Sequence, residues 1–268
     1  MIASLPLKNK NKLMKIVCLG SGNVATHFAK AFKSSGAELI QIWSKTLANA
    51  QALASVLNSQ AVDDLNDINP DADLYLICIK DDAIEEMAAK LKGVKGLVVH
   101  TSGATAIDVF ERIGLSNYGV MYPLQTFSKS RVIDFKQVPL CLEGGSEEVF
   151  QQLHTIAAKL SPLVYRVSSE DRKLLHLAAV FACNFTNHLY HLSAKILQQH
   201  QLGFDMLRPL IMETAAKVQT ALPEGVQTGP AVRNDELTMH KHLELLKNTP
   251  DLVDIYETLS NSIKKTYL

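Results

Sequence analysis

The chain has 268 residues, of which 47% are hydrophobic, and it carries 27 basic and 27 acidic side chains. This amount of apolar material is enough for a large buried core and excludes disorder as the dominant state. A formal net charge of zero is not the positive balance expected of a protein that binds nucleic acid or anionic membranes. The longest apolar runs, such as residues 177–183, are far shorter than the roughly 20 residues that cross a bilayer. We therefore expect a soluble protein with neither nucleic acid nor membrane as a partner.

The N-terminal segment and the cysteines favour a cytoplasmic protein. Residues 1–13 place apolar residues before lysines, the reverse of the order in a secretory signal. We expect this segment to be a flexible tail, with Met14 as an alternative start. Each cysteine lies in an apolar segment and none forms a C-x-x-C pair, which predicts buried thiols rather than disulfides or a metal site. The cysteines are Cys18, Cys78, Cys141 and Cys183.

The first half of the chain alternates short apolar runs with helical patterns. Strands are predicted at residues 15–19, 38–43, 73–79, 97–100, 118–121, 138–142 and 163–167. Helices are predicted at residues 23–34, 47–57, 83–91 and 106–113. Such alternation is typical of βαβ units, and near-continuous apolar runs such as LYLICI are typical of strands buried on both faces. The sequence predicts an α/β fold with a doubly wound, mostly parallel sheet over residues 14–167.

Residues 168–268 contain only helical patterns and are predicted to form an all-α domain. A long helix is expected at residues 169–199, opened by Ser168 with Asp171 three residues later, a capping-box spacing. Further helices are expected at residues 205–222, 235–246 and 251–265, the last with Thr249 as N-cap and Pro250 in the first turn. These helices offer more apolar surface than about 100 residues can bury alone, which predicts a homodimer through this domain.

The clearest local motif is G-x-G-x-x-A, placed directly between the first strand and the first helix. It comprises Gly20, Ser21, Gly22, Asn23, Val24 and Ala25. The first glycine permits a tight turn, the second lets a pyrophosphate approach the backbone, and the helix N-terminus offers free N–H groups to phosphates. This context favours a dinucleotide site over a glycine-rich turn that binds nothing.

The end of the second strand distinguishes NADP from NAD. An acidic side chain there would bind the adenosine ribose and repel a 2′-phosphate. The sequence instead has Ser44, Lys45 and Thr46, which can all donate hydrogen bonds to a phosphate. We therefore expect NADP, while an ordinary polar loop is the alternative.

Two later strand ends are expected beside the nicotinamide, because ligands bind outside the carboxyl ends of parallel strands. Lys80 follows the third predicted strand, and His100 ends the next one, ahead of Ser102 and Gly103. We assign Lys80 and His100 to cofactor binding and Ser102 to the catalytic residues, although a purely structural role for the His100 imidazole is an equal alternative.

The long helix carries a set of polar residues in a mostly apolar segment. At 100° per residue, Lys173, His176, Asn184, Asn187 and His191 fall on one narrow face. Buried amides and imidazoles need partners, which a ligand in a cleft would supply; a polar seam between helices or a dimer contact is the alternative. His188, His240 and His242 lack supporting ligands for a metal and are expected at the surface.

A turn-rich loop, residues 228–235, places Arg233 just before Asn234, the predicted N-cap of the next helix. Arg233 is a candidate for binding an anionic group of the substrate or a cofactor phosphate, and a solvated arginine beside turn and cap residues is the alternative.

Taken together, these motifs resemble a group of bacterial NADP oxidoreductases that join a Rossmann domain to a helical domain and are related to pyrroline-5-carboxylate reductase and the deazaflavin-dependent NADP reductases. The resemblance covers nearly the whole chain and rests on six segments. They are GSGNVA at 20–25, WSKT at 43–46, HTSGAT at 100–105, YPLQTF at 122–127, HLAAVFACN at 176–184 and TGPAVRND at 228–235. It implies NADP binding and a dimer built through the helical domain.

The sequence also departs from related enzymes. The β-hydroxyacid dehydrogenases present a lysine and an asparagine four residues apart on the long helix, whereas here Lys173 is followed by Leu177. This departure argues against a simple alcohol dehydrogenase mechanism. The small-residue pattern of the pyrroline-5-carboxylate reductase helical domain is also absent, so proline synthesis is not implied.

The resulting hypothesis is an NADP-dependent reductase that moves a hydride between the nicotinamide and a small C=O or C=N substrate. His176 is the expected proton donor, because histidine ordinarily titrates near pH 6.5 and can serve as acid or base. Asn184 and Asn187 would orient the reactants, Ser102 is the next candidate donor, and Gln125 and Arg233 are assigned to the substrate. A non-catalytic, dimeric NADP-binding redox sensor is the alternative, which needs the cofactor site but no proton donor.

Overall fold

The computed structural model describes residues 13–268 and divides into two units, the first ending at Cys183 and the second spanning Asn184–Leu268. The predicted tail lies outside the described residues except for Leu13. The sequence places the domain boundary between residues 167 and 168, sixteen residues earlier than the division between the units. The first helix beyond residue 167 therefore belongs to the first unit.

An eight-stranded sheet forms the centre of the first unit. Its strands are β1 Lys15–Leu19, β2 Glu38–Trp43, β3 Gln60–Val62, β4 Leu74–Ile77, β5 Leu97–His100, β6 Tyr118–Pro123, β7 Leu140–Gly144 and β8 Val164–Arg166. Their spatial order is β3-β2-β1-β4-β5-β6-β7-β8. All neighbouring pairs are parallel except β6 and β7, which are antiparallel. The order 3-2-1-4-5-6 is that of a Rossmann fold, so the predicted fold class is confirmed.

Helices connect these strands and cover the sheet. They are α1 Asn23–Ser34, α2 Leu47–Leu57, α3 Ile84–Lys90, α4 Asp108–Arg112, α5 Glu147–Ala157 and α6 Ser169–Ala179. The predicted bounds of β1, α1, β2 and α2 agree with the structure at every end. Strand β3 and helix α5 were not predicted from the sequence. Helix α1 begins at Asn23 because the glycine turn precedes it. Helix α5 forms the crossover between the parallel strands β7 and β8.

The core lies on both faces of the sheet, as the continuous apolar strands predicted. All four residues of β4 are buried, and so are the last four of β1. Cys18, Cys78 and Cys141 are buried here as expected, whereas Cys183 is exposed. The expectation for Cys183 is wrong because the apolar helix on which it lies is not covered in the single chain.

The remaining helices follow α6 to the C-terminus. They are a π-helical segment Val180–Phe185, α7 Thr186–Gln199, α8 Arg208–Thr220, α9 Glu236–Leu246 and α10 Pro250–Tyr267. Thr249 precedes α10 and Pro250 lies in its first turn, as predicted. Asp235, rather than Asn234, is the N-cap of α9, and its side chain accepts a hydrogen bond from the Thr238 N–H group. Asn234 instead adopts a left-handed conformation, with φ 52°.

The helical stretch from residue 169 to residue 199 is continuous, but its winding is not uniform. The π-helical residues Val180–Phe185 take more residues per turn than an α-helix does. A projection at 100° per residue therefore does not hold beyond Ala179, and the calculated common face of His176, Asn184 and Asn187 does not apply. Both asparagines are exposed rather than buried in the single chain.

Large apolar side chains are exposed throughout the second unit. They include Met206, Leu210, Met212, Leu222, Leu237 and Leu245, each more than 60% exposed. Across residues 13–268, none of the helices is both long enough and apolar enough to span a membrane.

Candidate active site

A cleft of about 1100 Å³ opens at the carboxyl edge of the sheet, entirely within the first unit. It lies beside β1 and β4, where the strand order changes direction, and this switch point is where open α/β sheets bind their ligands. Its volume is at the upper end of the range for small-molecule sites. Twenty-four residues line it: Gly20, Ser21, Gly22, Asn23, Val24, Trp43, Ser44, Lys45, Leu65, Cys78, Ile79, Lys80, Asp81, Asp82, Ala83, Glu86, Met87, Thr101, Ser102, Gly103, Tyr122, Pro123, Gln125 and His176.

The glycine loop between β1 and α1 forms one wall of the cleft. Gly20 has φ +130°, and a Cβ atom there would lie 2.2 Å from the backbone oxygen of Cys78. Its N–H group donates to the Trp43 carbonyl at 2.8 Å, which ties the loop to the end of β2. A Cβ atom on Gly22 would meet no atom within 4 Å, so the space in front of this residue is open.

The N-terminus of α1 has the features of a phosphate site. Gly22 is its N-cap, no side chain caps it, and no acidic residue occupies its first turn. Free N–H groups and the positive end of the helix dipole therefore face the open space beside Gly22. These residues fit a dinucleotide pyrophosphate.

Hydroxyl and ammonium groups meet at the end of β2. The Ser21 hydroxyl donates a hydrogen bond of 2.9 Å to the Ser44 hydroxyl, and both side chains are buried. Lys45 lies next to them and is exposed. No carboxylate is among the lining residues on this strand end. Thr46, which was predicted to join them, is not a lining residue and instead precedes α2.

The cleft contains charges of both signs. Lys45 and Lys80 contribute two ammonium groups, and Asp81, Asp82 and Glu86 contribute three carboxylates, all exposed. Exposed charges interact weakly with one another in water. The backbone N–H groups of the glycine loop are a further anion-binding feature, which does not depend on these side-chain charges.

His100 is buried next to the cleft and does not line it. Its side chain is fully buried, and its Nδ1 atom accepts a hydrogen bond of 3.2 Å from the Ser102 N–H group. The pKa of His100 is lowered from 6.5 to about 3, mainly by burial and secondly by the positive charge of Arg172, while a backbone hydrogen bond with Ala106 partly opposes both. His100 is not among the residues that line the cleft, and its assignment to cofactor binding stays a prediction.

Ser102 lies in that turn and lines the cleft, as predicted. Its hydroxyl oxygen accepts hydrogen bonds from the N–H groups of Ala104 at 3.1 Å and Thr105 at 2.9 Å. These two bonds fix the side chain and leave its hydroxyl hydrogen available to a ligand.

A buried ion pair attaches α6 to the sheet. Arg172 is fully buried and donates to the Glu143 carboxylate at 2.5 Å and to the Thr105 carbonyl at 2.6 Å. The Ser169 hydroxyl donates to the same carboxylate at 2.7 Å and accepts from the Ile107 N–H group at 2.9 Å. The start of α6 is thereby bonded to β7 and to the turn after β5, which is why this helix belongs to the first unit.

His176 lies one helical turn after Arg172 and lines the cleft. Its Nδ1 atom is 3.0 Å from the Tyr122 hydroxyl, and the two rings meet edge to face with centroids 5.8 Å apart. Gly103 packs against both rings, since a Cβ atom there would lie 2.8 Å from His176 and 2.9 Å from Tyr122. Tyr122 was not singled out from the sequence, although it begins the YPLQTF segment at the carboxyl end of β6.

The structure brings together most but not all of the predicted site residues. Gln125 lines the cleft with His176, Ser102, Lys80 and the glycine loop. Asn184, Asn187 and Arg233 belong to the second unit and are exposed. Their assignment to catalysis and substrate binding stays a prediction.

The comparisons with known proteins identify the family. Residues 15–102 match a family model described as NADP oxidoreductase, coenzyme F420-dependent, and residues 138–263 match a domain of unknown function, DUF2520. A crystal structure from Bacteroides fragilis, described as a putative NADP oxidoreductase, is 44% identical and covers 94% of this chain and 98% of its own, with a TM-score of 0.90. This chain belongs to the same NADP oxidoreductase family. It is an oxidoreductase whose family binds a nicotinamide-type dinucleotide, and the redox-sensor alternative receives no support.

More distant structures share the fold. A 1-pyrroline-5-carboxylate reductase from Streptococcus pyogenes is 16% identical, covers 94% of this chain and 99% of its own, and has a TM-score of 0.65. An imine reductase from Streptomyces aurantiacus is 14% identical, covers 94% of this chain and 96% of its own, and has a TM-score of 0.63. A search of curated proteins gave no match.

Proposed function

We propose that the protein is an NADPH-dependent reductase of a small carbonyl or imine compound. One observation carries this proposal: a single cleft is lined at one end by the phosphate-binding glycine loop and at another by His176 and Tyr122. A reductase needs the dinucleotide and a proton donor in the same cavity. The neighbouring pyrroline-5-carboxylate and imine reductases, whose names concern C=N compounds, support the substrate class.

The preference for NADP over NAD is supported by the end of β2. Ser44 and Lys45 line the cleft and no acidic residue accompanies them there. A 2′-phosphate would accept hydrogen bonds from a serine hydroxyl and a lysine ammonium, whereas an acid would repel it. Ser21, through its hydrogen bond to Ser44, extends this set of donors into the glycine loop.

Each part of the chain has a separate task in the proposed reaction. The α1 N-terminus and Gly22 hold the pyrophosphate, and Lys80 lies near the nicotinamide side. When bound, the reduced nicotinamide supplies a hydride to the carbon of the substrate double bond. His176 donates a proton to the oxygen or nitrogen atom, and Ser102 and Gln125 donate or accept hydrogen bonds to orient the substrate.

Association into a homodimer is part of the proposal. The second unit exposes more large apolar side chains than scattered surface residues account for. A second copy of the chain is the proposed partner, because most soluble oligomers are homo-oligomers. Leu210→Glu should produce monomers in sedimentation at micromolar concentration. Val56→Glu is the matched control, because Val56 is 60% exposed on the first unit and Leu210 is 62% exposed. A wild-type monomer would refute the dimer.

The reductase proposal is tested by NADPH turnover with a panel of small ketones, imines and oxo acids. With the best substrate, His176→Gln should lower kcat by roughly 10²-fold, the usual effect of losing a general acid, with little change in cofactor affinity. His154→Gln is the control, because His154 is exposed on α5 outside the cleft. Wild-type turnover by His176→Gln would remove His176 as the donor. If only the melting temperature falls, the residue has a packing role instead.

A further inference from the structure

Tyr122 and His176 are hydrogen-bonded to each other and closely packed at the wall of the cleft. The tyrosine comes from β6, the histidine from α6, and Gly103 from the turn after β5, so three separate elements meet at one hydrogen bond of 3.0 Å. Because a side chain on Gly103 would collide with both rings, the position of the pair is closely defined.

We propose that Tyr122 is a positioning residue for proton transfer, whose hydroxyl group holds Nδ1 of His176 so that Nε2 is the atom that exchanges a proton with the substrate. This inference rests on the proposed function, in which His176 is the proton donor. It assigns a role to a residue that is 54 positions away from His176 in the chain.

The Tyr122 hydroxyl hydrogen determines which nitrogen of His176 carries a hydrogen. Tyr122 is 8% exposed, and burial raises its pKa to about 12, so the hydroxyl keeps its hydrogen at neutral pH. A buried hydroxyl hydrogen needs an acceptor, and Nδ1 of His176 lies at hydrogen-bond distance. In a neutral imidazole one nitrogen accepts and the other carries the hydrogen. Donation by Tyr122 to Nδ1 therefore places the ring hydrogen on Nε2.

The same hydrogen bond also holds the charged form of the His176 ring. When His176 is an imidazolium, its Nδ1–H group donates to the Tyr122 oxygen, which still has lone pairs to accept it. The Nε2–H proton then passes to the substrate oxygen or nitrogen, which has received the electron pair of the reduced double bond. The ring is left neutral with its hydrogen on Nδ1, bonded to the Tyr122 oxygen. A proton from solvent then binds Nε2, and loss of the Nδ1 hydrogen restores the resting form in which Tyr122 donates to Nδ1. Tyr122 thus holds the ring before and after the transfer without losing its own proton.

Arg172 fixes the helix that carries His176. Its guanidinium group lies one helical turn before His176 and is bonded to Glu143 and Thr105. Residues four apart lie on the same face of a helix. The ion pair therefore fixes the position of α6 near Tyr122. The Tyr122 hydroxyl then determines the rotation and the tautomer of the His176 ring.

The first test measures the ring directly by 15N NMR of the wild-type protein and Tyr122→Phe at pH 8. The wild type should show a hydrogen on Nε2 and a hydrogen-bonded, unprotonated Nδ1, and Tyr122→Phe should lose the signature of that bond. Tyr118→Phe is the matched control, because Tyr118 lies on the same strand and does not line the cleft. A wild-type ring protonated on Nδ1, or identical spectra for the wild type and Tyr122→Phe, would overturn the proposal.

The second test uses the best substrate of the turnover panel. Tyr122→Phe should lower kcat about 10-fold, and the double variant with His176→Gln should be no slower than His176→Gln alone, because the tyrosine acts through the histidine. A kcat loss by Tyr122→Phe that persists in the His176→Gln background would overturn the positioning role. If His176→Gln is slow and Tyr122→Phe is fully active, the positioning role of Tyr122 is refuted and the proposed function stands. If His176→Gln is fully active, His176 is refuted as the proton donor.

Discussion

The buried His100 predicts a specific loss of stability in mild acid. Its pKa is lowered from 6.5 to about 3 in the folded protein, first by burial and then by the charge of Arg172. The unfolded chain therefore binds a proton below pH 6.5 that the folded protein does not accept until about pH 3. The stabilisation is fully present above pH 6.5 and is lost as the pH falls through this interval. Linkage gives a loss of about 2 kcal/mol at pH 5 relative to pH 7.

The assay compares melting temperatures at pH 7 and pH 5 for the wild type and His100→Asn. Asparagine retains an acceptor for the Ser102 N–H group and does not titrate. The drop between the two pH values should be about 4 to 8 °C larger for the wild type. Taking the difference within each protein removes the other histidines and the cost of the substitution itself. Equal drops would refute the reasoning, and so would an NMR titration that shows His100 protonated at pH 6.

Three further substitutions test the site and its support. Gly20→Ala should lower the free energy of unfolding by at least about 2 kcal/mol, because of the positive φ and the close Cys78 oxygen; a melting temperature equal to the wild type would contradict this. Gly22→Ala should lower the free energy of unfolding by no more than about 1 kcal/mol. It should weaken NADPH binding at least tenfold in calorimetry, because the added Cβ atom enters the open space proposed for the phosphate. Unchanged affinity would place the phosphate elsewhere. Arg172→Met should cost about 3 kcal/mol in thermal unfolding by leaving the Glu143 charge unpaired, and adding Glu143→Gln should restore part of that loss; purely additive losses would refute the coupling.

Local signals in the sequence were sufficient for β1, α1, β2 and α2. The glycine turn after β1 fixes both the end of that strand and the start of α1, so the bounds of these elements were predicted correctly. Helix α5 was also predictable in principle: Ser146 caps it, with its hydroxyl oxygen accepting from the Val149 N–H group, and Glu147 and Glu148 occupy its first turn. Its buried residues follow the helical repeat, so the local sequence contains enough information to predict this helix.

Other features depend on tertiary contacts that no local pattern contains. The burial of Arg172 depends on Glu143, 29 residues away, and an arginine on a polar helix start would ordinarily be assigned to the surface. The π-helical turn at Val180–Phe185 breaks the angular projection used for the polar residues of the long helix. The pairing of Tyr122 with His176 requires β6 and α6 to be adjacent, which only the folded sheet establishes.

The central claim is that the cleft binds NADPH through the glycine loop and the end of β2, and calorimetric titration with NADPH and NADH tests it most directly. The wild type should bind NADPH at least tenfold more tightly than NADH, a difference of about 1.4 kcal/mol. Lys30→Ala should show the same preference and serves as the control, because Lys30 is exposed on α1 outside the cleft. Lys45→Ala should lose most of this preference while keeping its affinity for NADH. Equal wild-type affinities for the two dinucleotides, or a preference that Lys45→Ala leaves unchanged, would contradict the account.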